Sequence, residues 1–242
     1  MKVLLVTIAI GKKYLDEYND LFYQSQSNYA RKNGYDFLVI TDFLDVNLKH
    51  TSTISFNKIL VCNQEWSKNY DFIIFIDADI LINILSPPLH TYDYGKCIGI
   101  IDEYSQPTRE KRIQIQRRMG WETCATDYYK LFGFDIQTDM VFNSGVLVMQ
   151  PKVHNDFLMN VYNKYVKQSI SHSRGFHFEQ SCIGYELQKA SLYKVLDNKF
   201  NAVWSITKMD NSMSLNDYFG ENYFIHFDGH TDYDKIKEIK KY

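Results

Sequence analysis

Apolar and polar positions change their period several times along the chain. Val3 to Ile10 is a nearly unbroken apolar run that stops at Gly11, the pattern of a strand buried on both faces. From Lys13 to Asn33 the apolar and small residues Tyr14, Leu15, Tyr18, Leu21, Phe22, Ser25, Tyr29 and Ala30 recur at helical spacing, and Gly34 supplies the stop. Tyr35 to Thr41 predicts a second strand. Thr51, Ser52 or Thr53 would cap a second helix carrying Phe56, Ile59, Leu60 and Trp66. Phe72 to Ile76, wholly apolar and flanked by Asp71 and Asp77, predicts a central strand. Strand, helix, strand, helix, strand implies right-handed crossovers and a mostly parallel sheet flanked by helices, an α/β fold.

Beyond Pro87-Pro88 the pattern predicts a fourth strand at Lys96 to Ile101. Glu103 to Asp139 has little periodicity apart from a short helix near Thr108 to Met119, and reads as an excursion on the ligand face of the sheet. Val141 to Met149 predicts another strand, interrupted by Asn143-Ser144-Gly145 and ended by Pro151. Helices are expected near Asn155 to Ser169 and Phe178 to Ala190, a last strand at Tyr223 to Phe227, and a basic tail from Lys235 to Tyr242. Without an internal repeat or low-complexity linker, residues 1–242 are expected to form one domain.

Composition narrows the class. Lys and Arg total 27 and Asp and Glu 29, which argues against a protein that coats nucleic acid. The 19 Tyr and 16 Phe suit stacking on bases or sugar rings, and a bias toward Lys, Asn, Ile, Tyr and Phe explains them equally well. Cys62, Cys97, Cys124 and Cys182 form no CxxC, so a disulfide scaffold or structural zinc is not expected and a reducing, cytoplasmic setting is. The amino-terminal apolar run is too short to span a bilayer and is read as a strand, with no transmembrane segment expected.

Candidate chemistry starts at Asp77-Ala78-Asp79, at the carboxyl end of the central strand, where ligands of such sheets bind. Side chains two apart on a strand point the same way, so both carboxylates can face one hard cation, Mg2+ or Mn2+. Alternatively, Asp79 caps a following helix. A late His226, in Ile225-His226-Phe227-Asp228-Gly229-His230, could complete that site and would tilt the choice toward Mn2+. Asn143-Ser144-Gly145 offers amide and hydroxyl groups and a glycine that permits close approach, or else a bulge without a ligand. Glu179 and Gln180 read either as helix-start caps or as cleft groups that bind hydroxyls and stabilise positive charge. Lys58 reads as a snorkelling surface residue or as one that reaches a phosphate or sugar. His50, His90, His154 and His172 lack local partners and are expected at the surface.

Taken in order, Val6-Thr7-Ile8-Ala9, Phe56-Asn57-Lys58-Ile59-Leu60, Asp77-Ala78-Asp79, Asn143-Ser144-Gly145-Val146, Glu179-Gln180 and His226-Phe227-Asp228-Gly229 resemble the GT-A glycosyltransferases. The order is most similar to families 8 and 34, the glycogenin-like and galactosyl/xylosyltransferase groups. The resemblance implies a single Rossmann-like GT-A domain with residues 1–101 as nucleotide-binding half and 102–242 as acceptor and donor-sugar half. It implies transfer of a hexose or pentose from a UDP-sugar donor to a glycan or other hydroxyl acceptor, with retention of configuration. Asp77, Asp79 and His226 would hold Mn2+ or Mg2+. Thr7, Ile8, Ala9 and Tyr14 would hold the uridine, with Ala78 and Gly229 among the nucleotide contacts. Lys58, Asn143, Ser144 and Gly145 would line the donor sugar, and Glu179 and Gln180 would lie beneath the reacting carbon. The chain departs from those families after Gly229, where His230-Thr231-Asp232 stands in place of a basic phosphate contact and the nearest lysine is Lys235; Arg109 to Arg118 is a substitute to test. Two other assignments compete. One is a haloacid-dehalogenase-type phosphatase with Asp77 as nucleophile. The other is a sugar-binding GT-A protein without turnover.

Overall fold

The computed structural model describes residues 1–172, 175–210 and 213–239, and in the helix that follows 174 the side chains from Phe178 onward. The elements are β1 (Val3–Ile8), α1 (Lys12–Leu21), α2 (Tyr23–Asn33), β2 (Asp36–Ile40), β3 (Phe72–Ile76), β4 (Ile80–Ile82), β5 (Ile98–Asp102), α3 (Arg109–Met119), α4 (Ala125–Leu131), β6 (Phe142–Met149), α5 (Pro151–Ser171), α6 (Gly175–Ala190), β7 (Tyr193–Val195), β8 (Ala202–Val203), α7 (Trp204–Asp210), α8 (Leu215–Glu221), β9 (Phe224–His226) and α9 (Tyr233–Ile236). Six strands form the main sheet in the order β2-β1-β3-β6-β5-β7, and β4-β9-β8 form a small second sheet. β6 pairs antiparallel with both β3 and β5, while the other main-sheet pairs are parallel, so β6 alone runs against the rest.

Alternation along the strands divides the core. Leu4, Val6, Ile73, Phe75, Leu147 and Met149 face α5, α6 and the segment before β3, meeting Phe56, Leu158 and Phe178. Val3, Leu5, Ile74, Ile76, Val146 and Val148 face the other way, onto Tyr29, Leu89, Phe200 and Phe224. Burial on both faces is why these strands read as continuous apolar runs. Among the described residues no helix is long and apolar enough to cross a membrane.

Several expectations are corrected. The helix expected over Lys13 to Asn33 is broken at Phe22, whose buried ring packs on Phe227 and Tyr233. Thr51 to Asn69 is a succession of 3-10 turns and not an α-helix. There Asn57 Nδ2 and Ser67 Oγ bond backbone carbonyls, local bonds that compete with a regular helix. β6 is continuous through Asn143-Ser144-Gly145; its register slips only against β5, between Gly99 opposite Val148 and Ile101 opposite Asn143. His154 is buried and not superficial: its Nδ1 accepts from Gln150 N at 2.8 Å and its Nε2 lies 3.0 Å from Lys96 O, satisfying the turn into α5. His172 stacks on Phe178, centroids 4.2 Å apart. β4, β7, β8, α4, α7 and α8 were not foreseen, being too short for any period to register. Residues 240–242 of the basic tail lie outside the described residues.

Phe224 anchors the small sheet by edge-on contacts with Tyr29 and Phe200. Phe224→Ala is expected to cost about 3–5 kcal/mol, read as a lowered urea midpoint; a midpoint shift near zero would mean that β9 is held by other contacts.

Candidate active site

Two ladders bring the sequence-distant acids and imidazole together. Asp77 follows β3 and its N–H donates to Gly145 O at 2.8 Å, extending the pairing with β6. Asp79 directly precedes β4, and β4 pairs antiparallel with β9 so that Ile80 lies opposite His226. Phe227 N then donates to Asp79 O at 3.0 Å. The result is His226 Nε2 at 3.2 Å from Asp79 Oδ1 and 3.9 Å from Asp77 Oδ2. One ligand atom from each of the three residues falls within 4.8 Å of the others. Two carboxylates and an imidazole in that arrangement fit a divalent cation. A strand follows Asp79, so Asp79 caps no helix.

Gly145 permits the approach. A Cβ there would lie 2.8 Å from His226 Cε1 and 2.9 Å from its Nδ1. The close neighbour of this glycine is therefore a residue of the protein itself. Lys58 is buried, not snorkelling, and its Nζ lies 3.0 Å from Asp77 and 3.1 Å from Glu179. It also donates to Ser144 Oγ at 3.2 Å, and Ser144 Oγ donates to Glu179 Oε1 at 2.5 Å. Glu179 and Gln180 sit past the first turn of α6, so they are not its caps. The Gln180 amide is held from both sides, donating to Glu103 Oε2 at 3.3 Å and accepting from Ser144 N at 3.4 Å.

These groups line one cleft of about 590 Å³, within the range of ligand sites. One end is largely aromatic, with Ile8, Ala9, Tyr14, Phe22 and Tyr233 beside the paired Glu17 and His230; the other is bounded by Tyr128 and Phe132. Between them lie Lys58, Asp77, Ala78, Asp79, Asn143, Ser144, Glu179, Gln180 and His226, with Gly229 at the rim. Of the residues expected at a ligand, Thr7 and Gly145 do not border the cleft; Thr7 is fully buried in β1. Six carboxylates line the cleft (Glu17, Asp77, Asp79, Glu103, Glu179 and Asp228), and Lys58 is the one Lys or Arg among the described lining residues. None of the arginines between Arg109 and Arg118 lines the cleft; Arg109 pairs with Asp102 and Asp139, Arg112 with Glu103, and Arg118 bonds Met209 O.

Charge is balanced by contact. Burial opposes the Lys58 ammonium, yet Asp77 and Glu179 hold its pKa above the usual lysine value. Burial pushes Glu179 upward while Lys58 and Ser144 pull against it. Burial would also raise Asp79 and Glu103, but His226 and Arg112 respectively hold them below the usual carboxylate range. Burial disfavours a charged His226, and Asp79 and Asp77 override it, raising its pKa to about 9.

Sequence reasoning missed Glu103, Asn201 and Tyr128. Glu103 carried the same signal as Asp77, a carboxylate directly after a buried strand; Asn201 and Tyr128 carried none.

The glycosyl transferase family 8 model matches residues 2–232. The chain belongs to that family and is a glycosyltransferase, which sets aside the phosphatase. No curated protein matches the sequence. Solved structures share the GT-A fold. A glycosyltransferase involved in glycosylation of the major capsid of PBCV-1 is 13% identical, with 99% of each chain covered and a TM-score of 0.65. The galactosyltransferase LgtC, solved with donor and acceptor sugar analogs, is 13% identical, with 99% of this chain and 95% of that one covered and a TM-score of 0.55. Mouse xyloside xylosyltransferase 1 in its apo form is 15% identical, with 96% and 99% covered and a TM-score of 0.53.

A metal ion at His226 Nε2 must displace the proton that the raised pKa retains. Mn2+ affinity is therefore expected to climb about tenfold per pH unit from neutrality to about 9 and then level off. Calorimetric titration across that range tests this, and an affinity independent of pH would put the bound ion elsewhere. Gly145→Ala should push the imidazole off its position and weaken Mn2+ binding by roughly 10–100-fold. Unchanged affinity would mean the ring has room to yield.

Proposed function

We propose that this glycosyltransferase moves a hexose or pentose from a UDP-sugar to a hydroxyl of a glycan or similar acceptor, with retention of configuration. The observation that carries the reading is the charge of the cleft. A nucleoside diphosphate faces six carboxylates there, and the one lysine is already held by two of them. Such a ligand enters only with a divalent cation, and Asp77, Asp79 and His226 are the residues to hold it. The imidazole favours Mn2+ over Mg2+. When bound, the ion neutralises the charge that develops on the departing diphosphate.

The remaining work falls to the chain. The aromatic end with Ile8, Ala9 and Tyr14 suits a uridine, with Ala78 and Gly229 beside the phosphates. Lys58 keeps Asp77 and Glu179 in place. Asn143, Ser144 and the Gln180 amide offer polar contacts to the donor sugar. Glu179 faces the carbon that becomes cation-like. Retention is favoured because the two carboxylates at the sugar end, Glu103 and Glu179, are tied to Arg112 and Lys58. Neither is a free base for an incoming hydroxyl. The acceptor proton then passes to the departing phosphate oxygen as the old C–O bond breaks and the new one forms on the same face. The end near Tyr128 and Phe132 is left for the acceptor. Cys62, Cys97, Cys124 and Cys182 are all free thiols, which suits a reducing, cytoplasmic setting.

A panel of UDP- and GDP-sugars incubated with Mn2+ tests this by release of nucleoside diphosphate. Turnover of a UDP-sugar is expected, lost on chelation and lowered roughly 10²–10³-fold or more in Asp79→Ala. Wild-type turnover in that variant, or turnover indifferent to chelation, would overturn the metal assignment.

A further inference from the structure

Behind the candidate metal ligands lies a row of buried polar side chains bonded to one another in series. His226 Nδ1 is 3.0 Å from Asn201 Oδ1. Asn201 Nδ2 donates to Asn143 Oδ1 at 2.7 Å. Asn143 Nδ2 donates to Glu103 Oε2 at 3.0 Å, and Arg112 pairs with Glu103 Oε1 at 2.6 Å. Asn201 is fully buried, and Arg112, Asn143 and His226 nearly so.

One backbone group sets the direction of the whole row. The Gly145 N–H, which can only donate, lies 2.8 Å from Asn143 Oδ1. That oxygen is therefore the acceptor end of the Asn143 amide, and the Asn143 NH2 faces Glu103. Asn201 must then present its NH2 to Asn143 and its oxygen to His226. An oxygen at Nδ1 requires a proton on Nδ1, which leaves Nε2 as the nitrogen with a free lone pair once a metal has displaced its proton. Nε2 is also the nitrogen that faces Asp77 and Asp79. The same Glu103 oxygen accepts from Gln180 Nε2 at 3.3 Å.

We propose that Glu103, Asn143 and Asn201 form a one-way hydrogen-bond relay that fixes the tautomer and angle of His226 for metal binding. Through its bond to Gln180, Glu103 orients the sugar end of the cleft at the same time. Glu103 and Asn201 are positioning residues: Asn201 does not border the cleft, and both act through another side chain. The anionic end of the row polarises two amides in series and makes the ligating nitrogen a better donor, as carboxylates do behind metal-bound histidines. The proposal rests on the metal assignment above, but its test uses no sugar. Its failure would leave Mn2+-dependent turnover of the wild type untouched, and absence of turnover would leave its readouts intact.

The test is Mn2+ affinity by calorimetry in Asn201→Leu, Glu103→Gln and the double variant, with thermal midpoints of the metal-free proteins reporting folding separately. Asn201→Leu should weaken Mn2+ by about 10–100-fold. Glu103→Gln should weaken it several-fold although Glu103 is no ligand. The double variant should fall short of the product of the two, because both cut one row. Wild-type Mn2+ affinity in Glu103→Gln would overturn the relay, whatever Asn201→Leu does. Should either variant fail to fold, the wild-type protein labelled with 15N-histidine decides the matter at the end point of a Mg2+ titration. A proton on His226 Nδ1 supports the relay, and a proton on Nε2 with Nδ1 bare overturns it.

Discussion

The site depends on the antiparallel pairing of β4 with β9. Each strand has three residues, and their register sets Ile80 opposite His226. Asp79 is the residue next to Ile80, so the register alone decides that imidazole and carboxylate meet. A slip of one residue would turn His226 to the opposite face. So short a ladder needs support from outside. β8 pairs with β9 on its other edge, Asn83 N and Ser86 Oγ both donate to Tyr223 O, and Phe224 fills the space between Tyr29 and Phe200. The residues that stabilise this corner of the fold are therefore the residues that position the candidate metal site.

A second constraint is electrostatic. Carboxylates so crowded would cost several kcal/mol each to bury unpaired. The protein answers with specific partners: Lys58 between Asp77 and Glu179, Arg112 on Glu103, the Ser205 hydroxyl on Asp228. Asp79 shares its proton-bearing neighbour His226. Pairing occupies the one lysine among the described lining residues, and Asp77, Asp79 and His226 remain gathered where a cation fits. The chain of this glycosyltransferase family thus carries an acidic cleft with a candidate three-residue metal cluster.

The local pattern carried much of the fold. β1, β2, β3 and β5 read correctly because each is an apolar run bounded by polar or turn residues, and Gly34 stops α2 in the left-handed conformation with φ 66°. Asp77 and Asp79 were legible from their place after a buried strand, and His226 from its place near the end of the last one. Lys58 was visible only as an ambiguous residue. Its ion pairs depend on Asp77, at the end of β3, and on Glu179 of α6, which lies far along the chain. Gly145 was legible as a point of close approach, yet the group that approaches it is His226.

Strand-forming runs, helix stops and the order of polar markers are properties of neighbouring residues, so the chain's α/β class and its family resemblance were present in the sequence. The β4–β9 register, by contrast, is a relation between segments separated by more than a hundred residues. β4 is too short to show a period, and β9 gives no sign of which strand it will meet. The meeting of His226 with Asp79, the capture of Lys58 by two acids and the row from Glu103 through Asn143 and Asn201 to His226 arise only once those segments pack. Hydrogen bonds and ion pairs act over about 3 Å, and nothing in a linear string of residues specifies distances of that kind between its remote parts.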